Sequence, residues 1–436
     1  MSKFYSLFLL TLIFYSCGGN KNYGPPEWLK TLSVYEIMPK NFSPTQNING
    51  IREALPKIRT VYANAISFTP LTPNDAINTS FNPGDPYAAL DYSKLDSTLG
   101  TDAELKSLIE EAHLNRFKVI FQFEISYTGP NHEWRTKKPQ YYKSVERKVS
   151  GLYNKQYIQL DYSNPKVRKE ILKILSTWKS KFKPDGIIIL NTEDLPTEFN
   201  QDLVNTLKSE NFLLASGSNI PIVKENAIYD SYFDKSLYSV FKKLSRDSAR
   251  SSDFKALFEI NKSQKNKSSS FQFTRTSALN EYDDSETQIF QNYYKLPALL
   301  SISLCGIPWI LNGQEEPMFV KIDVAKPTFV ERNYQYSLEF YRSLFIHRKE
   351  NIALHSLEDN LPVLISDSED VLAFERKNGN MQFVVFANLR DTVSSFRVTK
   401  NYNQYMEFFT RNKVDFITQY EYKLGPHQFI ALTNKY

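Results

Sequence analysis

The chain has 436 residues, 41% of them apolar and 23% charged, which are the proportions of a folded globular protein rather than a disordered one. Its 53 basic and 48 acidic side chains leave a formal charge of +5 with no long basic tract, so no nucleic acid partner is expected. Fourteen Gly and 21 Pro exclude a collagen-like or low-complexity chain, and the 14% aromatic content accompanies abundant Lys, Asn and Ile, as in a chain encoded by A/T-rich codons.

Met1-Ser2-Lys3 is a short basic start to the apolar run 4–15. That run is shorter than the roughly 20 residues a helix needs to cross a bilayer, and has the length of a signal-peptide core. It ends Phe14-Tyr15-Ser16-Cys17-Gly18-Gly19, which resembles a bacterial lipobox. The expectation is a leader over 1–16, lipidation of Cys17 and a tether over 17–28. The chain would then be exported and held by lipid on a membrane of the bacterial cell envelope. The only other cysteine is Cys305, expected to be a buried small hydrophobe, so the mature chain cannot form an ordinary internal disulfide. The apolar stretch 299–311 is interrupted by Gly306 and Pro308 and is no second membrane segment.

Past the tether, residues 33–37 predict a short buried strand, 51–58 a helix and 65–70 a second strand. Thr101-Asp102-Ala103-Glu104 is an N-cap with an acid three residues on, opening a helix over 105–114. Strand 118–123 follows. Asn164-Pro165 opens a helix over 166–182, with Val167, Ile171, Ile174, Leu175 and Trp178 on one face. Pro184-Asp185-Gly186 turns into strand 187–190, and 212–215, 270–273 and 301–304 are further strand-like runs. Alternating strands and amphipathic helices over about 320 residues predict a parallel α/β architecture. Periodicity alone leaves an open doubly wound sheet as an alternative, and the absence of a glycine-rich phosphate loop after the first strand weakens a nucleotide-binding version of it. After His347-Arg348-Lys349 the runs 361–365, 371–375, 382–386 and 429–432 predict a small antiparallel β domain.

The order of motifs resembles the α-amylase family, glycoside hydrolase family 13. The resemblance is carried by Ser33-Val34-Tyr35-Glu36-Ile37 with Asn41-Phe42, and by Gly50-Ile51 with Thr69-Pro70-Leu71. Further on come Tyr87 with Asp91-Tyr92, Glu111-Ala112-His113, Leu160-Asp161-Tyr162-Ser163-Asn164-Pro165 and Pro184-Asp185-Gly186. The last is Gly306-Ile307-Pro308-Trp309-Ile310-Leu311-Asn312-Gly313-Gln314-Glu315, similar to the segment around the family's eighth strand. The resemblance implies a (β/α)8 TIM barrel over 29–350, a short insertion at about 126–159, and a C-terminal antiparallel β-sandwich domain over 351–436.

The same resemblance implies three carboxylates at strand ends, and here the chain departs. The family is retaining, which needs a carboxylate nucleophile and a carboxylic acid about 5–5.5 Å apart across a bond with a cation-like transition state. The nucleophile's run reads Asp185-Gly186-Ile187-Ile188-Ile189-Leu190, with Ile188 at the arginine position and Leu190 at the nucleophile. The acid/base position falls on Ser216 or Gly217, and the third carboxylate on Thr276. The third-strand motif reads Gln122-Phe123-Glu124-Ile125-Ser126-Tyr127, without the family's His or the Asn that often helps to bind calcium. Leu cannot attack an anomeric carbon, and neither Ser nor Thr can protonate a leaving oxygen near neutral pH.

Tyr87 matches the family tyrosine that stacks under a sugar, and Asp91 belongs to the same motif. His132 and Trp134 read as exposed residues of the loop after strand three, where a ring can make a sugar platform. Glu193, Asp194 and Glu124 are the acids from which a relocated site would be built, with Glu281, Asp283 or Asp284 as further choices. No His/Cys cluster has zinc spacing and no Gly-x-Ser-x-Gly occurs, so neither metal nor cofactor is expected. The expectation is therefore a lipid-anchored barrel of carbohydrate metabolism, without ordinary hydrolytic machinery. It would bind an α-glucan or other oligosaccharide in the old cleft, or an envelope protein partner; the rival is an active α-glycoside hydrolase with relocated carboxylates.

Overall fold

The computed structural model describes residues 23–435 apart from 76–84, 144–146, 149–155, 219–228, 264–267, 317–320, 323–328, 330–336, 358–359 and 367. The leader, Cys17 and the first part of the tether lie outside the described residues.

Eight parallel strands close a barrel: β1 (Val34–Ile37), β2 (Ala65–Phe68), β3 (Lys118–Glu124), β4 (Gly186–Leu190), β5 (Leu213–Ser216), β6 (Ser231–Phe233), β7 (Ser269–Phe273) and β8 (Ile307–Leu311). Closure is carried by β1, where Val34 pairs with Ala65 on one side and Trp309 on the other. These strands are almost wholly buried, as expected of parallel strands covered on one face by helices and filled on the other by side chains.

The helices run back antiparallel to the strands. They are α1 (Ile48–Thr60), α2 (Asp102–Leu114), α3 (Pro165–Phe182), α4 (Thr197–Leu207), α5 (Lys235–Leu244), α6 (Ser251–Ser263), α7 (Lys295–Ser303) and α8 (Leu338–Glu350). Thr101 and Glu104 form the anticipated capping box of α2, and Asn164 caps α3 by accepting from Lys166 N at 3.0 Å. The apolar face of α3 is buried as its spacing predicts, with Trp178 edge-on to Phe121 and Phe123.

Among the barrel strands, two differ from the sequence reading. Residues 301–303 are the last turn of α7, not a strand, and the strand that follows is β8. Every α7 residue from Leu296 to Ser303 is buried, so no polar face marks a helical period, and a short apolar run fits either element. Strand β6 was not anticipated; three residues, Ser231-Tyr232-Phe233, are too few to alternate.

The excursion after β3 carries a small antiparallel sheet of Tyr127–Thr128, Gln156–Gln159 and Arg147–Lys148. At the other end, the 3-10 turn Glu27–Thr31 lies across the strand N-termini. Leu29 is fully buried, Trp28 Nε1 donates to Asn211 O at 3.2 Å, and Asn64 Nδ2 donates to Thr31 O at 2.9 Å. This end is the barrel's floor, and the chain enters there.

The C-terminal part is antiparallel: β9 (Val363–Leu364), β10 (Val371–Asn378), β11 (Met381–Asn388), β12 (Ser394–Phe396), β13 (Tyr402–Glu407), β14 (Lys413–Phe416), β15 (Tyr422–Leu424) and β16 (Phe429–Thr433). Six form a sheet in the order β9-β10-β11-β16-β13-β14, and β12 pairs with β15 as a ribbon against it. One face packs Phe386 on Phe396 and Phe416, while Leu372, Phe374, Phe383 and Val385 on the other join the barrel's core. Arg376 is fully buried in this seam and donates to the carbonyls of Leu304, His355 and Asn360, which satisfies backbone that neither element pairs by itself.

Candidate functional site at the barrel mouth

The C-terminal ends of the strands surround a cavity of about 320 Å³, in the place where barrel enzymes of this architecture keep their sites. Its base is a polar network inside the barrel. Glu36, 1% exposed, accepts from Gln122 Nε2 at 3.0 Å, Trp309 Nε1 at 3.0 Å, Ser277 N at 3.0 Å and Ser277 Oγ at 2.5 Å. Four donors compensate the burial of one carboxylate.

Strand β3 ends in Glu124, which is opposite Leu190 in the register of β3 and β4. Glu124 lines the cavity and accepts from Ser126 N at 2.7 Å and from Asn191 Nδ2. Burial pushes its carboxyl up to about 8; the two hydrogen bonds oppose the shift, and the carboxylates of Asp194 and Glu193 add to it. At neutral pH Glu124 is therefore a neutral acid at the edge of the cavity. Beyond β4 the chain turns through Asn191 with φ +48° into the short helical turn Thr192–Asp194. That turn brings Glu193 and Asp194 to the cavity, Glu193 accepting from Ser218 Oγ and Asp194 from Tyr127 Oη at 2.6 Å. The three acids proposed for a relocated site thus share one cavity.

Leu190 and Thr276 line the same cavity, at the positions the resemblance assigns to carboxylates. For the acid/base position the strand pleat decides between the two residues offered. Ile188 pairs with Ala215 and Ile189 with Ser216, so Ser216 points to the helix side of β5. There it is fully buried, 2.6 Å from Thr192 Oγ1, and accepts from Ser218 N at 3.1 Å. Gly217 is the residue at the cavity, which corrects the assignment to Ser216.

Tyr87 is half-buried in the cavity wall, with its hydroxyl 2.7 Å from Ser277 Oγ. Asp91 is not among the lining residues. It accepts from Ser93 N at 2.8 Å and Ser93 Oγ at 2.6 Å and pairs with Lys94 at 3.1 Å, as a local turn residue. Burial raises its carboxyl, but these donors outweigh it and hold the group below its ordinary value.

His132 and Trp134, expected as exposed loop rings, are buried at 2% and 4%. They pack on each other at 4.8 Å and on Tyr92, Trp134 also meeting Tyr141. His132 Nδ1 accepts from Trp134 N at 3.1 Å, and burial holds the imidazole down at about 4. An aromatic cluster in the insertion hides more apolar area than an exposed platform, and it takes both rings away from the mouth. Asp283 is held by Tyr238 Oη at 2.8 Å and Lys242 Nζ at 2.9 Å, away from the cavity, and the side chain of Glu281 lies outside the described residues.

Sequence reasoning missed Glu36 as a site residue, although a lone acid within Val-Tyr-Glu-Ile already marks a strand position facing a polar interior. It also missed Asn191, whose left-handed backbone no local motif announces. Lys235, Phe233 and Phe273 complete the wall. Among the described residues no group of three or more His, Cys, Asp or Glu side chains is placed to hold a metal ion.

The family model for the alpha-amylase catalytic domain matches residues 36–150. The chain is 23% identical over 197 residues to an oligo-1,6-glucosidase of Heyndrickxia coagulans, an alignment covering 36% of this chain and 34% of that enzyme. It thus spans about a third of that relative. Alpha-amylase 2 of Dictyoglomus thermophilum is 23% identical over 459 residues, covering 93% of this chain and 76% of the relative. Among solved structures, the noncanonic maltogenic alpha-amylase AmyB from Thermotoga neapolitana superposes with a TM-score of 0.81 at 16% identity, over 93% of this chain and 99% of that one. An alpha-amylase from Lactobacillus plantarum gives 0.79 at 15% identity, over the same shares. These structural likenesses concern the fold, a closed eight-stranded barrel followed by an antiparallel sheet. By its family-model match over residues 36–150 and its curated relatives, the chain is similar to the α-amylase family, glycoside hydrolase family 13, and the solved structures share its fold.

Proposed function

We propose that this chain is an exported, lipid-anchored protein whose barrel mouth holds an oligosaccharide, of α-glucan type, without cleaving it by double displacement. The observation that carries the reading is the identity of the residues at three strand ends. Leu190, Gly217 and Thr276 face the cavity, and none has a carboxyl group to attack an anomeric carbon or protonate a leaving oxygen. What remains suits binding: a half-buried tyrosine, Phe233 and Phe273 as apolar walls, and hydrogen-bonding groups from Glu124, Asn191, Asp194 and Lys235.

One observation favours a second reading. Glu124, whose carboxyl burial pushes up to about 8, shares the cavity with Glu193 and Asp194, and a pair of carboxyl groups at one site is what a glycosidase uses. Purified protein separates the readings. Calorimetry with maltooligosaccharides is expected to show saturable binding that Tyr87→Ala weakens, with no reducing ends released from these sugars or from aryl α-glucosides. Turnover abolished by Glu124→Gln, Glu193→Gln or Asp194→Asn would establish the relocated site instead. No glucan binding, with a stoichiometric envelope protein captured from membranes, would replace both with a partner-binding role.

A further inference from the structure

In a barrel whose strands run from floor to mouth, the helices end at the floor, and this floor is basic. Arg59 closes α1 and donates to Asn115 O at 2.8 Å, while Arg116 and Lys183 lie just past the ends of α2 and α3; all three are exposed. Cations at helix C-termini offset the helix dipoles, which accounts for part of this pattern. It does not account for the apolar residues among them. Leu114, the last residue of α2, is 81% exposed, and Tyr62, just past α1, is 43% exposed, with the Arg342 guanidinium 5.3 Å from its ring. The acids at this end are partly compensated. Asp185 is held by Lys118 at 2.8 Å and His113 at 2.7 Å, and Glu27 pairs with Lys30 at 2.8 Å; Glu210 is exposed, as is Glu350, which follows the exposed Lys349 at the end of α8.

The entry of the chain lies on the same face. The turn Glu27–Thr31 crosses the floor, with Trp28 bonded to Asn211 O and Lys118 Nζ 5.4 Å from its ring. From Cys17 to Glu27 is ten residues, at most about 35 Å when extended. A lipid on Cys17 would keep this face, rather than the mouth, within reach of the bilayer.

We propose that the barrel floor, through Arg59, Arg116 and Lys183 around Leu114 and Tyr62, is a docking face for an anionic lipid surface, so that the mouth opens away from the membrane. Basic side chains are drawn to anionic headgroups, and exposed Leu and Tyr enter the interface between headgroup and acyl chain. The orientation rests on the lipid-anchor part of the reading above; the affinity of the floor for anionic lipid does not.

The test uses the full chain carrying Cys17→Ala, sedimented with vesicles of phosphatidylcholine alone or with roughly a third phosphatidylglycerol. The expected result is binding to the anionic vesicles only, lost at high salt. The triple reversal Arg59→Glu, Arg116→Glu, Lys183→Glu is expected to weaken it at least about tenfold. Reversing Lys106, Lys166 and Lys169, exposed in the first halves of α2 and α3, leaves it unchanged. A leader retained on the chain carries its own basic start and would also favour the anionic vesicles, but it is present in both triple variants and cannot imitate a difference between them. Equal binding to both vesicles, or equal loss with either triple, overturns the proposal. Mass spectrometry of the wild-type chain reads the anchor separately, because a chain without lipid but with selective binding would remove the anchor and keep the docking face.

Discussion

Leu190 occupies the space that a side chain at Gly217 would need. A Cβ built on Gly217 falls 2.7 Å from Leu190 Cα and 2.8 Å from Leu190 Cδ2, closer than side-chain carbons pack. The two residues stand at the mouth ends of neighbouring strands, one carrying a branched apolar chain and the other none. They form a matched pair: a side chain on β5 requires β4 to move. This pairing bears on catalysis, since a glutamate cannot be set at 217 without displacing the strand that ends in Leu190.

Gly217→Ala is accordingly expected to destabilise the fold by about 1–3 kcal/mol, the usual cost of overpacking. Leu190→Ala in the same chain removes the clash with Cδ2 but not with Cα, so it relieves the cost only in part. A double-mutant cycle by urea unfolding measures the coupling. Additive effects would mean that the two sites do not share space.

Glu124 gives the mouth a pH signature. Its carboxyl titrates at about 8 in the folded chain, against an ordinary value near 4.5 when unfolded. Between those values the folded state retains a proton that the unfolded state has released, so stability falls as pH rises from about 4.5 to about 8 and then levels. Glu286, raised to about 7, and Asp230, raised to about 6, both by burial, act in the same direction. The readout is therefore a difference: Glu124→Gln should lose part of the decline and gain on wild type as pH rises through this window. Parallel stability curves for the two proteins would contradict the titration.

Beneath β6, Lys208 and Asp230 form an ion pair whose side chains are each 5% exposed. Asp230 also accepts from Leu214 N at 2.9 Å, and Lys208 donates to Phe212 O at 3.0 Å. Burial pushes both groups toward their neutral forms, with the mutual attraction opposing it. Asp230→Asn keeps the bond to Leu214 N but strands the ammonium, and is expected to cost about 3–5 kcal/mol. Adding Lys208→Met should recover much of that loss in thermal or urea unfolding.

In cells, the wild-type chain is expected in the membrane fraction and Cys17→Ala in the soluble fraction. Fractionation with immunoblotting reads the outcome. Unchanged partitioning of Cys17→Ala would leave a protein contact or an uncleaved leader as the only tie. Among the described residues no helix is long and apolar enough to cross a membrane.

Much of this molecule was legible before its structure. The Thr101–Glu104 box, the Asn164 cap and the apolar stripe of α3 are local patterns, set by hydrogen-bond reach and by the 3.6-residue period, and each formed as read. The buried strands are likewise short apolar runs between turn residues. Where local pattern carries no period, the reading failed, as at the wholly buried end of α7 and the three residues of β6.

The sequence by itself determined the alternation of strands with helices and the C-terminal strands, because these depend on local periodicity; the closed barrel and the residue types at its strand ends were legible only through the family resemblance that the order of motifs carries. Only the tertiary structure decided which of those residues face the cavity. The pleat turns Ser216 to the helices and Gly217 to the mouth, through a register that strand β4 imposes from outside the local sequence. His132 and Trp134 left the site because they are buried on Tyr92, a residue distant in the chain, and Trp134 also on Tyr141 of the insertion itself. Glu36, Glu124 and Asp194 came to share one cavity because closing eight strands brings residues 36, 124 and 194 to one rim. Proximity of that kind follows from long-range packing, and no stretch of the chain encodes it alone.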